Sequence, residues 1–157
     1  MQPRVRARDE GGFTLLELII TIVLFGIMLS FAVAPYAHYR LRQQHVGTAR
    51  EMVAFLRRAQ VRAVSEAVTY RVDITSTGAA MFRKNGSVYQ QVQTMTSAST
   101  RVTFTNAAFD ASSGPGSSVY FYEKGSASKG SVTVARSGTS KVYTISVEGL
   151  TARVSYQ

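Results

Sequence analysis

The sequence contains no cysteine among its 157 residues and few groups suited to catalysis. Without thiols it can form neither disulfides nor a thiolate metal site, so the stability of the fold must come from its core. The nine acidic residues are scattered, which argues against a carboxylate pair for acid–base chemistry. No serine lies in a nucleophile-elbow pattern, and no glycine-rich loop resembles a phosphate-binding turn. The sequence therefore predicts a protein that is not an enzyme and uses no cofactor.

Histidine is also scarce, with His38 and His45 as the two examples. They are seven positions apart, so both fall on one face of a helix. A metal site would need further ligands, and the local candidate, Glu51, lies six residues beyond His45. We therefore expect solvated surface histidines and no metal site.

One long apolar run, from Phe13 to Ala34, contains a single charged residue, Glu17. A helix over these 22 residues would rise roughly 33 Å, about the thickness of the hydrocarbon core of a bilayer. A carboxylate at the centre of such a helix costs about 2.5–3.5 kcal/mol on insertion, and less near an end. Glu17 therefore has two possible explanations. It has a charged partner, or it reaches the headgroups and the positive end of the helix dipole.

The segment before the run carries Arg4, Arg6 and Arg8. Three arginines at this place favour an N-terminus in the cytoplasm. A secretory signal peptide would show a shorter apolar core followed by a small-residue cleavage site. Here the small pair Gly11-Gly12 precedes the apolar core. The order is a basic leader, two glycines, phenylalanine and then an apolar helix.

Residues 12–17, Gly-Phe-Thr-Leu-Leu-Glu, resemble the N-terminal signature of the type IV pilin and pseudopilin superfamily. The resemblance implies that a prepilin peptidase cleaves after Gly12 and that Phe13 is then N-methylated. It also implies that Glu17 pairs with the N-terminal amine of a neighbouring subunit during assembly. The implied partners are other pilins through the N-terminal helix, the peptidase, an inner-membrane assembly platform, and membrane lipid before assembly.

After the apolar run the helical pattern continues as an amphipathic segment that ends near Glu66. Apolar residues recur at spacings of three and four, and four arginines between positions 50 and 62 fall mostly off this stripe. The stripe should therefore pack on a sheet. Its predicted members are Val46, Ala49, Met52, Val53, Leu56, Ala59, Gln60, Ala63, Val64 and Ala67.

From Thr69 onward the apolar pattern changes to a period of two, which is typical of strands. Asn85-Gly86 predicts a tight hairpin, and the stretch from Phe109 to Ser118 reads as a loop rich in serine, glycine and proline. The remaining alternating segments give seven or eight short strands. The predicted fold class is α+β, with a long N-terminal helix packed on a C-terminal antiparallel β-sheet domain.

The second half also resembles one branch of the superfamily, the minor pseudopilins of the type II secretion pseudopilin H and FimT-like group. The matching stretches are Val119–Gly125, Gly130–Val134 and Tyr143–Gly149. The three glycines also have a purely physical explanation, since Gly125, Gly130 and Gly149 would permit positive φ in tight turns.

An excess of basic side chains leaves DNA binding open as an alternative. The formal charge is +9, and the part after Gly12 keeps 15 basic against 7 acidic side chains. Some minor pilins resembling this chain capture DNA through basic C-terminal loops, but they carry paired arginines after the terminal glycine, where this chain has only Arg153. A membrane-anchored domain that never polymerises is a third possibility. The candidate DNA contacts are Lys124, Lys129, Arg136, Lys141 and Arg153.

The sequence thus predicts four segments. Residues 1–12 form a cleaved leader, 13–35 a transmembrane helix that becomes the filament core, 36–68 an amphipathic helix, and 69–157 a β-rich periplasmic or extracellular domain. The chain would cross the bacterial inner membrane once with its N-terminus in the cytoplasm, and then enter a type IV pilus or a secretion pseudopilus as a minor subunit near the tip.

Overall fold

The computed structural model describes residues 12–110 and 117–157, without the side chains at 32–35, 37 and 38. Most of the predicted leader therefore lies outside the described residues, as does the centre of the predicted 109–118 loop. The chain divides into two compact units, Met1–Arg40 and Leu41–Gln157. The described elements are α1 (Leu15–Ser65), β1 (Tyr70–Thr75), β2 (Gly78–Asn85), β3 (Val88–Thr96), β4 (Val102–Phe109), β5 (Ser118–Phe121), β6 (Gly130–Arg136), β7 (Tyr143–Val147) and β8 (Val154–Tyr156).

The helix α1 begins where Thr14 caps its first turn and ends at Ser65, one residue before the predicted end. Ala67 then adopts a positive φ of 51°, which takes the chain out of the helix and into β1. None of the helices in the described part of the chain has the length and apolarity required to span a membrane.

Within the second unit, α1 buries one face against the sheets. The predicted stripe is confirmed at most positions, including Ala49, Leu56 and Ala63, whose side chains are fully buried. It is wrong at Val64, which is 51% exposed, and at Ala67, which lies beyond the helix. It also omitted Phe55, which is fully buried. The packed face is therefore rotated slightly from the predicted one, toward the side that carries Phe55.

The eight strands in the described residues form two four-stranded antiparallel sheets, with orders β3-β2-β1-β5 and β4-β6-β7-β8. One hydrophobic core includes residues from α1 and from both sheets, among them Phe55, Val72, Met81, Val134 and Ile145. Both sheets thus bury their apolar faces in the core that α1 also enters. The α+β prediction is confirmed, with two sheets in place of one.

The predicted hairpin at Asn85-Gly86 is present, but its turn is centred one residue later. Asn85 is the last paired residue of β2 and faces Val88 across the ladder, so Gly86 and Ser87 form the two-residue loop. Gly86 has a φ of 61°, which suits a turn that requires glycine at its first central position. The predicted loop from Phe109 to Ser118 is too long at both ends, because Phe109 closes β4 and Ser118 opens β5.

Two of the three motif glycines have extended or negative φ, contrary to the prediction. Gly125 has a φ of 83°, whereas neither Gly130 nor Gly149 is in the positive-φ region. Gly130 instead lies where β4 and β6 approach closely. A Cβ atom there would collide with the carbonyl oxygen of Ala108 and lie 2.6 Å from Cα of Phe109. Glycine is therefore required at position 130 by lack of space.

An ion pair joins the end of α1 to the first hairpin. The Glu66 carboxylate accepts hydrogen bonds from Nε of Arg83 at 2.7 Å and from the Tyr70 hydroxyl at 2.8 Å. The Arg83 hydrogen bond, followed by that of Tyr70, lowers the pKa of Glu66 below its ordinary value of 4.5. Because the carboxylate is exposed to solvent, the pair contributes little to the free energy of unfolding.

This geometry predicts a small pH dependence of stability. A carboxyl group with a lowered pKa in the folded state stabilises the fold above its unfolded pKa, and that contribution is lost as the pH falls through the folded value. Glu66→Gln should therefore lower the Tm slightly at neutral pH, and the gap to wild type should close below about pH 4. Thermal unfolding between pH 3 and 7 checks this, with the exposed Glu51→Gln as the control. A gap that stays constant with pH would contradict it.

Candidate functional site

The first candidate site is the start of α1, where Thr14 and Glu17 form the first turn. The backbone N–H of Glu17 donates to Oγ1 of Thr14 at 3.2 Å, and the N–H of Leu18 donates to the Thr14 carbonyl at 3.2 Å. Thr14 is thus the N-cap, and Glu17 stands three residues later at the capping-box position. A carboxylate in this first turn is favoured by the helix dipole.

Glu17 differs from the other polar side chains of this helical segment. The hydroxyl of Thr21 donates to the Glu17 carbonyl, and the hydroxyl of Ser30 donates to the Gly26 carbonyl at 2.9 Å. These back-bonds satisfy both hydroxyl groups within the helix. The Glu17 carboxylate makes no hydrogen bond or ion pair with any residue in ranges 12–110 and 117–157. Its capacity to accept hydrogen bonds is therefore unused within those residues.

The predicted cleavage site lies just outside the helix. Gly12, Phe13 and Thr14 precede the first helical residue, Leu15, and Phe13 is 80% exposed. Because Phe13 precedes the first helical residue, Phe13 and Glu17 do not lie on one helical face of the subunit. An exposed, non-helical peptide is accessible to a processing enzyme, and the new amine would lie close to the start of α1.

The helix that follows Glu17 exposes apolar side chains on all its sides. Large hydrophobic residues from Phe13 to Phe31 are between 49% and 80% exposed. A helix that is hydrophobic around its whole circumference is expected to be enclosed by lipid or by other protein. The exposed set is Phe13, Leu15, Leu16, Leu18, Ile19, Ile20, Ile22, Val23, Leu24, Phe25, Ile27, Met28, Leu29 and Phe31.

The β-domain has two ends that can be defined by their contacts with α1. At the leading end, the first packed turns of α1 meet β6 and β7 through His45, Val134 and Tyr143. At the trailing end, the last turns of α1 meet the β7–β8 turn, where Nε2 of Gln60 donates to the Thr151 carbonyl at 3.3 Å. The candidate DNA contacts are divided between these two ends.

Three of those five basic residues lie at the trailing end, each beside an acidic residue. Lys124 follows Glu123 in the turn after β5. The carbonyl of Lys129 accepts the N–H of Asp110 at 2.8 Å.

Arg153, the third basic residue at the trailing end, lies beside Glu148 in the β7–β8 turn. The Arg153 carbonyl accepts the N–H of Glu148 at 3.0 Å. The other two candidates, Arg136 and Lys141, lie at the leading end, on the two arms of the β6–β7 connection. The structure therefore does not bring the five together on one surface, and DNA binding stays a prediction.

His45 contradicts the prediction of a solvated surface histidine. Its side chain is only 3% exposed, and Nε2 lies 3.0 Å from the Val134 carbonyl oxygen. A carbonyl only accepts hydrogen bonds, so Nε2 is the donor. The ring also packs edge to face on Tyr143, with centroids 4.7 Å apart. The packed stripe of α1 therefore starts one position earlier than predicted, and the side chain of His38 lies outside the described set.

Possible metal ligands are not grouped in the described ranges. No cluster of three or more His, Asp or Glu side chains close enough to hold an ion occurs in residues 12–110 and 117–157.

Two protein-family models match the sequence of this chain. Residues 7–33 match the prokaryotic N-terminal methylation motif, and residues 48–151 match the family of the type II transport protein GspH. No curated protein matches the sequence.

Solved structures with the same fold include two minor subunits of bacterial filaments. The minor pseudopilin EpsH of the type 2 secretion system of Vibrio cholerae superimposes with a TM-score of 0.59 at 9% identity, covering 73% of this chain and 96% of that one. The type IV minor pilin FimU of Pseudomonas aeruginosa superimposes with a TM-score of 0.58 at 14% identity, covering 74% and 90%. At these identities the likeness shows the fold alone.

A capped apolar helix followed by a two-sheet antiparallel domain defines the class of pilin-like proteins. Within that class, the chain belongs to the GspH family, whose match covers most of its length. This is a family of structural pilin and pseudopilin subunits and not a family of enzymes.

Proposed function

We propose that this chain is a minor pilin or pseudopilin subunit that polymerises through its N-terminal helix. Prepilin peptidase cleaves it after Gly12 and methylates the amine of Phe13. The observation that carries the proposal is an apolar helix whose large side chains are 49–80% exposed, headed by Glu17, a carboxylate with no partner in the described chain. Neighbouring subunits cover the apolar side chains of this helix and supply the positive charge that pairs with Glu17.

Before assembly, the segment 13–35 crosses the inner membrane once, with the leader in the cytoplasm and the β-domain in the periplasm. The apolar composition of Phe13–Ala34 and the leader arginines support this topology. The assembly platform then moves the subunit into the filament, where the β-domain stays outside. Membership of the GspH family supports a minor position near the tip.

In the filament, Glu17 pairs with the methylated ammonium of a neighbouring Phe13. Both charges lie in an apolar bundle, where an unpaired charge is costly. Such a pair fixes the register of subunits more than it adds net stability.

Blocking cleavage tests the proposal. A Cβ atom at Gly12 would meet nothing within 4 Å, so Gly12→Val should leave the fold intact. We expect the wild-type chain in the sheared filament fraction at its processed mass, and Gly12→Val in the membrane fraction at its full mass. Immunoblots of both fractions, from cells that carry the whole assembly system, give the result. Equal amounts of variant and wild type in filaments would contradict the proposal.

DNA capture is the second candidate function, supported by the excess of 15 basic over 7 acidic side chains after Gly12. Binding through phosphates should weaken steeply with salt. Titrating the detergent-solubilised chain with duplex DNA at rising salt tests it. Because the candidate residues are split between two ends, Lys141→Gln and Lys129→Gln should have unequal effects if one end binds. Absence of binding at low salt would remove this candidate.

A further inference from the structure

The leading end of the β-domain concentrates basic side chains from three segments that are distant in sequence. Arg136 ends β6 and pairs with Val102 of β4, next to Arg101. The N–H of Ser137 donates to the Arg101 carbonyl at 2.9 Å. Lys141 follows in the same connection, with its ammonium 5.5 Å from the centre of the Tyr143 ring.

The first turn of the helical part of this unit adds Arg42 to the same end. It is exposed and lies one turn before His45, which contacts Val134. Arg101 and Lys141 are also exposed, and Arg136 is half-buried. We call Arg42, Arg101, Arg136 and Lys141 the basic end.

The turns that carry the basic end differ from the rest of the domain in their charge. The turns that form it, residues 97–101 and 137–142, contain no aspartate or glutamate. Within residues 12–110 and 117–157, the ion pairs are those of Arg71 and Arg83, not those of the basic end. These cations are therefore available to an external anion.

The trailing end has a different charge distribution. There Lys124, Lys129 and Arg153 each lie beside an acidic residue, and Arg83 is ion-paired with Glu66. The leading end thus differs from the trailing end in that its turns contain no acidic side chain.

We propose that the basic end binds anionic phospholipid headgroups and holds the domain against the membrane before assembly. The inference rests on the proposed insertion of Phe13–Ala34. Seven Cα steps separate Ala34 from Leu41, so chain length alone keeps the first residue of the second unit within roughly 25 Å of the point where the run leaves the membrane. The membrane surface is the negatively charged partner that always lies within this distance.

The physics of such a surface sets the size of the effect. Each lysine or arginine close to an anionic membrane strengthens binding by roughly fivefold. The attraction falls off over about 8–10 Å at physiological ionic strength. Binding of this strength is reversible, so a subunit can be held at the membrane and later released into a filament.

The absence of cysteine allows a direct test with single labels on the full chain in nanodiscs. Ser140→Cys carries a fluorophore at the leading end and Ser87→Cys at the trailing end, both at exposed positions. A quencher is attached to lipid headgroups, in discs of neutral lipid or with about one third anionic lipid. We expect stronger quenching at position 140 in anionic discs, lost at high salt, and little change at position 87.

Matched double variants assign the effect to the basic end. Arg101→Gln/Lys141→Gln removes two exposed charges there, and Lys124→Gln/Lys129→Gln removes two at the trailing end. The first pair should lower the equilibrium constant for the membrane-bound domain by roughly 25-fold, and the second should change it little. Thermal unfolding of both variants confirms that the fold is unchanged.

Several outcomes would overturn the proposal. These are equal quenching in neutral and anionic discs, equal effects of the two double variants, and quenching that arises only when other filament subunits are added. The last would identify an acidic neighbouring subunit as the partner. If the chain inserts into discs but shows no dependence on lipid charge, only this inference fails. If the chain does not insert at all, the proposed membrane step fails with it.

Discussion

Glu17→Ala should leave the subunit folded and in the membrane fraction but reduce its incorporation into filaments by about 100-fold or more. The carboxylate has no partner in the described chain, so its removal breaks no hydrogen bond or ion pair among those residues. In the filament, however, the ammonium of a neighbouring Phe13 would be left unpaired in an apolar environment. Breaking a buried ion pair in this way typically costs about 3–5 kcal/mol. The measurement is the ratio of subunit in sheared filaments to subunit in membranes.

Two control variants distinguish the effect of losing the Glu17 charge from the effect of changing a residue of the helix. Glu51→Ala removes an exposed carboxylate from the same helix and should assemble normally. Glu17→Asp keeps the charge with a shorter side chain and should recover part of the assembly. Normal filament levels with Glu17→Ala would contradict the pairing mechanism.

Gly130→Ala should lower the free energy of unfolding by about 3 kcal/mol, at the upper end of the cost of overpacking. A Cβ atom at this position would collide with the Ala108 carbonyl oxygen and lie 2.5 Å from Cδ1 of Phe109 and 2.6 Å from its Cα. Two of these contacts are with backbone, so the strands β4 and β6 would have to move apart. Chemical denaturation of the detergent-solubilised chain, followed by circular dichroism, measures the change.

Gly149→Ala is the matched control for this effect. Both glycines belong to the motif of the C-terminal half, but a Cβ at Gly149 would lie 3.5 Å from the Ala127 carbonyl oxygen and from Cβ of Lys129. These are ordinary van der Waals distances, and φ at this position is not positive. Gly149→Ala should therefore be close to neutral, and equal losses in the two variants would contradict the close approach of β4 to β6.

Local periodicity predicts most of the secondary structure, although not the ends of every element. The alternation of Tyr70, Val72 and Ile74 predicts β1 correctly, because each of these side chains is buried in the core. The position of the β2–β3 hairpin was also predicted, since two-residue turns depend on adjacent residues. The residues at the centre of the turn were not predicted correctly, because the pairing of Asn85 with Val88 depends on the register of both strands.

The arrangement of the strands could not be predicted from local patterns. Strand β1 pairs with β5 and strand β4 pairs with β6, and both pairings join segments that are far apart in sequence. Two sheets result where one was predicted. The burial of His45 depends on the same long-range structure, because its partners Val134 and Tyr143 belong to β6 and β7.

For the candidate functional residues too, local features can be predicted from sequence and long-range groupings cannot. The functional role of Glu17 can be predicted from sequence, because a single carboxylate in an apolar run is unusual and can be recognised without knowledge of its partner. The grouping of Arg101 with Arg136 and Lys141 could not be predicted, because it depends on the register in which Val102 pairs with Arg136. Sequence showed the excess of basic residues, and the fold separates them into two ends with different acidic neighbours.

The most direct test of the central claim is the intact mass of the native chain from cells with and without an active prepilin peptidase. The account predicts a chain that starts at N-methylated Phe13 when the peptidase is present, and a chain that still carries Met1 to Gly12 when it is absent. A chain that keeps its first twelve residues in both strains would contradict the claim that this protein is a filament subunit.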